Sequence, residues 1–366
     1  VLYWFNPFVW YALKELQLER EIACDSSVLQ LLDESDYERY GNTLINFAEK
    51  ISFSPFSFAT GIGGSMEQLT RRITNIATYQ TKTLSQNIKS TAVYIIISIV
   101  ILGMAPVLSI YATEQDNYQF NVAADKITSL NLSAAFGNYD GCFVLYDESS
   151  DHWKIYNEKN AIKRITPNST YKIYDALLGL ENGIITPDDS LMRWDGKNYP
   201  FKAWETNQNL NSAMIYSVNW YFQSIDKKSG FNTVKSFFHK IGYGNENVSG
   251  DLSTYWLESS LKISPVEQVE LLMKLQNNSL GFSSENINAV KDSICLSSSN
   301  TGKFYGKTGT GRVGGQDVNG WFIGYIEIVN NTYFFATNIG ADNNATGSNA
   351  AEITMSILSD MNIWTQ

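Results

Sequence analysis

Twenty-one consecutive residues without a charge, Ala92 to Ala112, constrain this chain more than any other feature. As a helix rising 1.5 Å per residue the run is about 30 Å long, the thickness of a bilayer's hydrocarbon core. Helices at the core of soluble proteins keep a polar face, which this run lacks. Pro106 inside it is tolerable in a membrane helix. We read 91–112 as a transmembrane helix. Arg71, Arg72, Lys82 and Lys89 precede it, with no acidic residue between Thr70 and Thr91, while Glu114, Asp116 and Asp125 follow against Lys126 alone. The basic flank belongs on the cytoplasmic side, which puts residues after about 113 outside the cell. The chain opens on Val1 inside an apolar stretch, V-L-Y-W-F-N-P-F-V-W-Y-A-L, and reads as a piece of a longer protein.

A net charge of −10 and the absence of a basic arm or zinc-finger pattern argue against nucleic acid as a partner. His152 and His239 are the only histidines, and neither has a second at a metal-ligand spacing. Cys24, Cys142 and Cys295 are too few for a disulfide scaffold. Pairing of Cys142 with Cys295 stays open, and the thiols read as small buried hydrophobes.

Four segments follow: a helical cytoplasmic part over 1–90, the membrane helix over 91–112, a polar linker over 113–130 and a globular domain over 131–366. Helix is expected over Tyr11–Gln30. In the globular domain Cys142–Tyr146 and Trp153–Tyr156 read as strands, helices follow from Ser169, and strands return at Gly320–Val329 and Thr332–Asn338. Strands at both ends with helices between them predict an α+β domain, an antiparallel sheet flanked by helices.

Three motifs carry chemistry. In T-P-N-S-T-Y-K-I-Y-D-A-L-L-G-L-E-N-G, Ser169 stands where a helix should start, and Lys172 shares its face. A serine hydroxyl needs a base beside it, and lysine serves only when burial or conversion makes it basic. The S-x-x-K spacing alone is weak, since Ser259–Lys262 repeats it. Ser217-Val218-Asn219 and then Lys307-Thr308-Gly309-Thr310 follow in order. The second places a cation, two hydroxyls and a close-approach glycine on one edge strand, suited to a carboxylate and a peptide-like ligand. Serine–lysine, serine–asparagine and K-T-G in that order define penicilloyl-serine transferases.

From about Phe136 to Asp360 the chain resembles class D (OXA-type) β-lactamases. The resemblance rests on the Ser169 motif, S-V-N-W-Y-F-Q, G-D-L-S-T-Y-W-L-E-S-S-L-K-I-S-P-V-E-Q, G-K-T-G-T-G-R-V and N-G-W-F-I-G. Within that branch it is similar to the extracellular sensor of the BlaR/MecR β-lactam sensor-transducers. The segments Y-W-F-N-P-F-V-W-Y-A-L-K-E and E-R-E-I-A-C-D-S-S-V-L resemble the end of that family's membrane metalloprotease domain. The resemblance implies a β-lactam as covalent ligand, a membrane location and, for the full-length parent, a cytoplasmic repressor as target. Glu21 matches a zinc ligand of the parent. The H-E-x-x-H partner motif is absent from this sequence, so zinc is implied for the parent and not for this chain.

The resemblance also implies roles for the site. Ser169 is the acylated nucleophile and Lys172 its base, carrying CO₂ as an N-carboxylate whose indole donor is Trp256. Ser217 moves the proton, and the backbone N–H groups of Ser169 and Thr310 form the oxyanion hole. Lys307, Thr308, Gly309 and Thr310 hold the ligand. Asn219 is the departure. Class D hydrolases have an apolar residue there, and an amide oxygen beside Lys172 favours the free amine after acylation. That leaves no base for the deacylating water, as a detector requires. The hydrolases also place an arginine downstream of K-T-G. Thr337–Gly347 has none, and Arg312 is a candidate substitute. The leading expectation is a sensor acylated at Ser169. A membrane-anchored class D β-lactamase is the alternative, ahead of a transpeptidase or an inactive homologue.

Overall fold

The computed structural model describes residues 7–52, 66–80, 91–100 and 117–365. The chain divides into two units, Val1–Ala105 and Pro106–Gln366. In the first, α1 (Pro7–Leu29), α2 (Tyr37–Ser52) and α3 (Met66–Ala77) meet around one buried acid. Asp25 on α1 accepts from Arg72 Nε and Nη2 on α3, both at 2.8 Å, and from Tyr40 Oη on α2 at 2.8 Å. Burial, then that hydrogen bond, pushes the Tyr40 hydroxyl up to about 12. Helix α4 covers 91–100, and its Val93, Ile95, Ile96, Ile97 and Ile99 are exposed. The rest of the charge-free run, 101–112, lies outside the described residues. Among the described residues no helix is long and apolar enough to cross a membrane.

The second unit is built on a seven-stranded sheet in the order β1-β3-β2-β7-β6-β5-β4. The strands are β1 (Ile127–Ser129), β2 (Asp140–Asp147), β3 (His152–Tyr156), β4 (Cys295–Ser298), β5 (Gly302–Val313), β6 (Gln316–Ile328) and β7 (Asn331–Gly340). Neighbours are antiparallel except β1 and β3, which run parallel, so the sheet is mixed. β1 lies within the stretch read as a polar linker, and Tyr118, Phe120 and Val122 before it pack against the core.

Both sheet faces are covered, which explains continuous apolar runs such as C-F-V-L-Y. Side chains alternate across a strand. Cys142, Val144 and Tyr146 of β2 face one core; Phe143 and Leu145 face the other. The first core is filled by α7 (Lys172–Glu181), α8 (Leu210–Ile215), α9 (Asn219–Ser229), α10 (Phe231–Ile241), α11 (Pro265–Gln276) and α12 (Ser284–Ser293). The second is closed by α13 (Gly347–Asp360) and by Phe136 of the short α5 (Ser133–Phe136); α6 (Glu158–Ala161) follows β3. α11 starts where S-P-V-E says it should. Pro265 is its first residue, Ser264 accepts from the Glu267 amide at 3.3 Å, and the Glu267 carboxylate accepts from the Ser264 amide at 2.9 Å. Of the cysteines, Cys142 is buried, Cys295 half-buried and Cys24 exposed, all with free thiols.

Candidate active site

The S-T-Y-K segment does not open directly as an α-helix. Asn168–Tyr171 forms a tighter 3-10 turn and α7 starts at Lys172. Asn168 takes a left-handed φ of +50°. Its amide N–H donates to Trp256 O at 3.1 Å, and its side chain donates to Glu258 Oε1 at 2.7 Å. Glu258 also accepts from Thr166 Oγ1 and Asn319 Nδ2. This brace fixes the turn that presents Ser169. From Lys172 to Leu180 every residue of α7 is buried, so the lysine stands at the end of a core helix.

Lys172 Nζ lies 2.9 Å from Ser169 Oγ, 2.7 Å from Ser217 O, 2.9 Å from Ser217 Oγ and 2.6 Å from Asn219 Oδ1. Ser217 reaches it from the turn before α9, at a left-handed φ of +53°, a strained conformation of the kind found at functional sites. Burial, reinforced by the Lys307 cation, holds the Lys172 amine well below its ordinary range. A neutral amine has two N–H bonds and one lone pair. Ser217 O and Asn219 Oδ1 can only accept, so they take the two hydrogens. The lone pair then faces the hydroxyls of Ser169 and Ser217.

β5 supplies the other wall. Lys307 Nζ donates to Ser217 Oγ at 3.0 Å and to Thr308 O at 2.9 Å, and burial lowers its pKa to about 7. Gly309 allows a close approach: a Cβ there would stand 3.0 Å from Pro167 O and 3.2 Å from Ser169 N, tighter than ordinary packing. Thr308 and Thr310 alternate to the α13 side, where the Gly347 amide donates to Thr310 Oγ1 at 2.9 Å. β5 was expected to be an edge strand. Instead β4 pairs with its first part, Lys303–Tyr305, and leaves the K-T-G-T stretch with strand pairing on the β6 side alone. A cleft of about 940 Å³ opens beside Lys307 and Thr308, lined also by Met214, Ile215, Leu296 and Trp364; Ser169, Lys172 and Ser217 do not line it, so it adjoins the reacting groups without containing them. Arg312 is held by Asp317 across the β5–β6 hairpin, at 2.8 and 3.2 Å.

Penicillin binding protein transpeptidase domains match residues 121–359, and the BlaR1 peptidase M56 family matches residues 1–76. The chain belongs to the penicillin-binding transpeptidase-domain family, in its BlaR/MecR branch. The regulatory protein BlaR1 of Bacillus licheniformis is 41% identical over 100% of this chain and 61% of its own length. The methicillin resistance mecR1 protein of Staphylococcus aureus is 38% identical over 99% of this chain and 62% of its own. The chain therefore spans about three-fifths of the curated relatives it matches first. Among solved structures, the C-terminal domain of the B. licheniformis BlaR penicillin-receptor is 43% identical with a TM-score of 0.65, covering 67% of this chain and 100% of that one. The class D β-lactamase BAT-2 is 37% identical with a TM-score of 0.61, over the same shares.

Ser169, Lys172, Ser217, Asn219 and Lys307 are thus brought together, with Gly309 against Ser169. Ser259 of the S-x-x-K at Ser259–Lys262 lies in a turn region outside any helix. Glu21 lies on α1 of the first unit, shared between Arg20 at 3.2 Å and Arg72 at 3.7 Å. Among the described residues no three His, Cys, Asp or Glu side chains group to hold a metal, so Glu21 has no companion ligands here. Trp256 is fully buried, its ring 5.3 Å from Lys172 Nζ, but its indole N–H donates to Asp226 Oδ2 at 3.2 Å. A carboxyl group on Lys172 needs donors. The expected indole N–H is spent on Asp226 and two of the four atoms around Nζ can only accept, so this arrangement offers such a group the Ser169 and Ser217 hydroxyls but not the indole. Asp226 and its neighbour Asp175 escaped the sequence reading. The signal available was an acid three residues after Lys172 in an otherwise apolar helix, K-I-Y-D-A-L-L.

Proposed function

We propose that this chain is the detecting part of a membrane β-lactam sensor, acylated once at Ser169 and slow to release the acyl group. The observation that carries the reading is the Lys172 amine, bracketed between the nucleophile Ser169 and the amide oxygen of Asn219. As Ser169 Oγ attacks the β-lactam carbonyl carbon, its proton passes to the Lys172 lone pair. The oxyanion takes hydrogen bonds from the Ser169 and Thr310 amides. The ring C–N bond then breaks. Its nitrogen receives the Ser217 hydroxyl proton, which Lys172 restores across 2.9 Å. Lys307 holds Ser217 in place and, with Thr308 and Thr310, attracts the ligand carboxylate. In the acyl-enzyme Ser169 no longer offers a proton, and Asn219 and Ser217 O keep the amine turned away from a water. Deacylation lacks an oriented base.

The charge-free run and its basic flank support insertion at 91–112, with the sensor outside. Zinc chemistry and cleavage of a cytoplasmic repressor belong, on this reading, to the full-length parent. Intact-mass spectrometry with benzylpenicillin over hours is the test. One stable adduct on Ser169, absent from Ser169→Ala, is the expected result. Continuous nitrocefin turnover would replace the sensor by a class D β-lactamase.

A further inference from the structure

A second polar cluster lies buried beneath the acylation site. Asp226 of α9 is fully buried, and its Oδ1 accepts from Tyr171 Oη at 2.6 Å and Tyr255 Oη at 2.9 Å. Its Oδ2 accepts from the Trp256 indole at 3.2 Å. The Tyr171 and Tyr255 hydroxyls also touch each other. Asp175, one turn along α7 from Lys172, is fully buried too, and neither of its oxygens meets a hydrogen-bond partner. Two acids in one apolar pocket do not both ionise readily. Asp226, with three donors, is the member built to carry the charge, and Asp175 the one built to stay protonated.

The cluster controls where the indole points. Trp256 is stacked on Tyr171, ring centres 5.3 Å apart and planes 12° from parallel. Its ring stands beside the amine while its N–H is spent on the acid. CO₂ addition to a lysine forms an N–C bond from the amine lone pair. One C=O electron pair moves onto oxygen, and the proton left on nitrogen goes to water. The product is an anion whose oxygens stand roughly 2.3 Å beyond Nζ. It needs a donor within the apolar pocket and no like charge beside it. Here the donor is committed elsewhere, to the cluster's own carboxylate.

We propose that Asp226 is a positioning residue that holds the Trp256 indole N–H away from Lys172, keeping the lysine uncarboxylated and so prolonging the acyl-enzyme. It acts alongside Asn219 but through a different atom. The inference rests on the acylation reading above.

The test uses the 366-residue chain and ¹³C-labelled bicarbonate, with carbamate formation on Lys172 read by ¹³C NMR and the lifetime of the benzylpenicillin adduct by intact mass. Asn219→Val is compared with Asn219→Val/Asp226→Leu. In the double variant the two tyrosine hydroxyls still have each other, and the indole is released. The expected result is a carbamate signal at about tenfold lower bicarbonate in the double variant, with a correspondingly shorter adduct lifetime. Adding Trp256→Phe should abolish that gain, and Asp226→Asn, which keeps an acceptor for the indole, should behave like Asp226. Equal bicarbonate dependence with and without Asp226 overturns the proposal. If Asp226→Leu does not fold, equal bicarbonate dependence of Asn219→Val and Asn219→Val/Trp256→Ala refutes a free indole in the single variant and supports the proposal; a carbamate lost with Trp256 overturns it. Wild-type chain that forms no adduct at Ser169 refutes the acylation reading instead, an outcome separate from either.

Discussion

If Ser169 is acylated as proposed, single atoms set how long the acyl group stays. Asn219 Oδ1 is 2.6 Å from Lys172 Nζ, shorter than any other contact of that amine. Replacing it by valine removes the acceptor and leaves an apolar wall. One hydrogen bond of about 1.4 kcal/mol is a factor of ten in rate. Asn219→Val should therefore deacylate about tenfold faster, with bicarbonate increasing the effect, as read from the decay of the adduct mass. An unchanged adduct would exclude lysine trapping while leaving acylation intact. Lys172→Ala removes the only base within reach of Ser169 Oγ among the described residues, and acylation should fall by about a hundredfold or more in either background. Gly309→Ala is a steric probe. Its Cβ would press on Pro167 O at 3.0 Å and Ser169 N at 3.2 Å, both backbone atoms that cannot swing aside. Acylation should slow about tenfold or more through a displaced Ser169, with a loss in stability of about 1–3 kcal/mol measured by denaturant titration.

Between elements, the α7–α9 contact carries a cost that pH reveals. Burial raises the Asp226 carboxyl from 3.8 to about 7, against the pull of its three donors, and burial with the Asp226 charge pushes Asp175 well above its usual value. Between about pH 4 and 7 the folded chain holds protons that the unfolded chain has released. Stability from this pair is therefore greatest at the acid end and is lost as pH rises through 7. The melting temperature should fall between pH 5 and pH 8, and Asp175→Asn should flatten that fall and melt about 2 °C or more higher at pH 8. A melting profile identical to wild type would mean that the pair is not ionising inside the fold. The same two helices show how much was legible beforehand. The S-x-x-K spacing led to the correct face, but the turn is 3-10 because Asn168 is held by Trp256 O and Glu258, partners 88 and 90 positions away.

At the scale of the molecule, one helix departs from the rest in its relation to solvent. The second unit closes both sheet faces and buries two apolar cores. Helix α4 does the reverse, exposing a row of isoleucines that water does not favour. Insertion of 91–112 with the basic flank inside predicts that protease added to intact cells cuts within the chain beyond 113. Protection of that part in cells whose outer membrane surface is accessible would contradict the orientation.

Sequence alone determined the order of the three motifs, the α+β class, the places of β2, β3, β6 and β7 and the family, because each is written in local spacing or in side-chain alternation; β1 and β4, three and four residues long, carry too little pattern to be read. It also pointed to the Asn219 amide as a partner for Lys172. Tertiary structure alone decided which way Trp256 points, what holds the Lys172 amine well below its ordinary range and that two acids share the space beneath it. Asp226 meets Tyr171 across 55 positions and Trp256 across 30. No local pattern encodes such meetings: a side chain's charge depends on what the fold packs around it, and desolvation exists only once the core has closed.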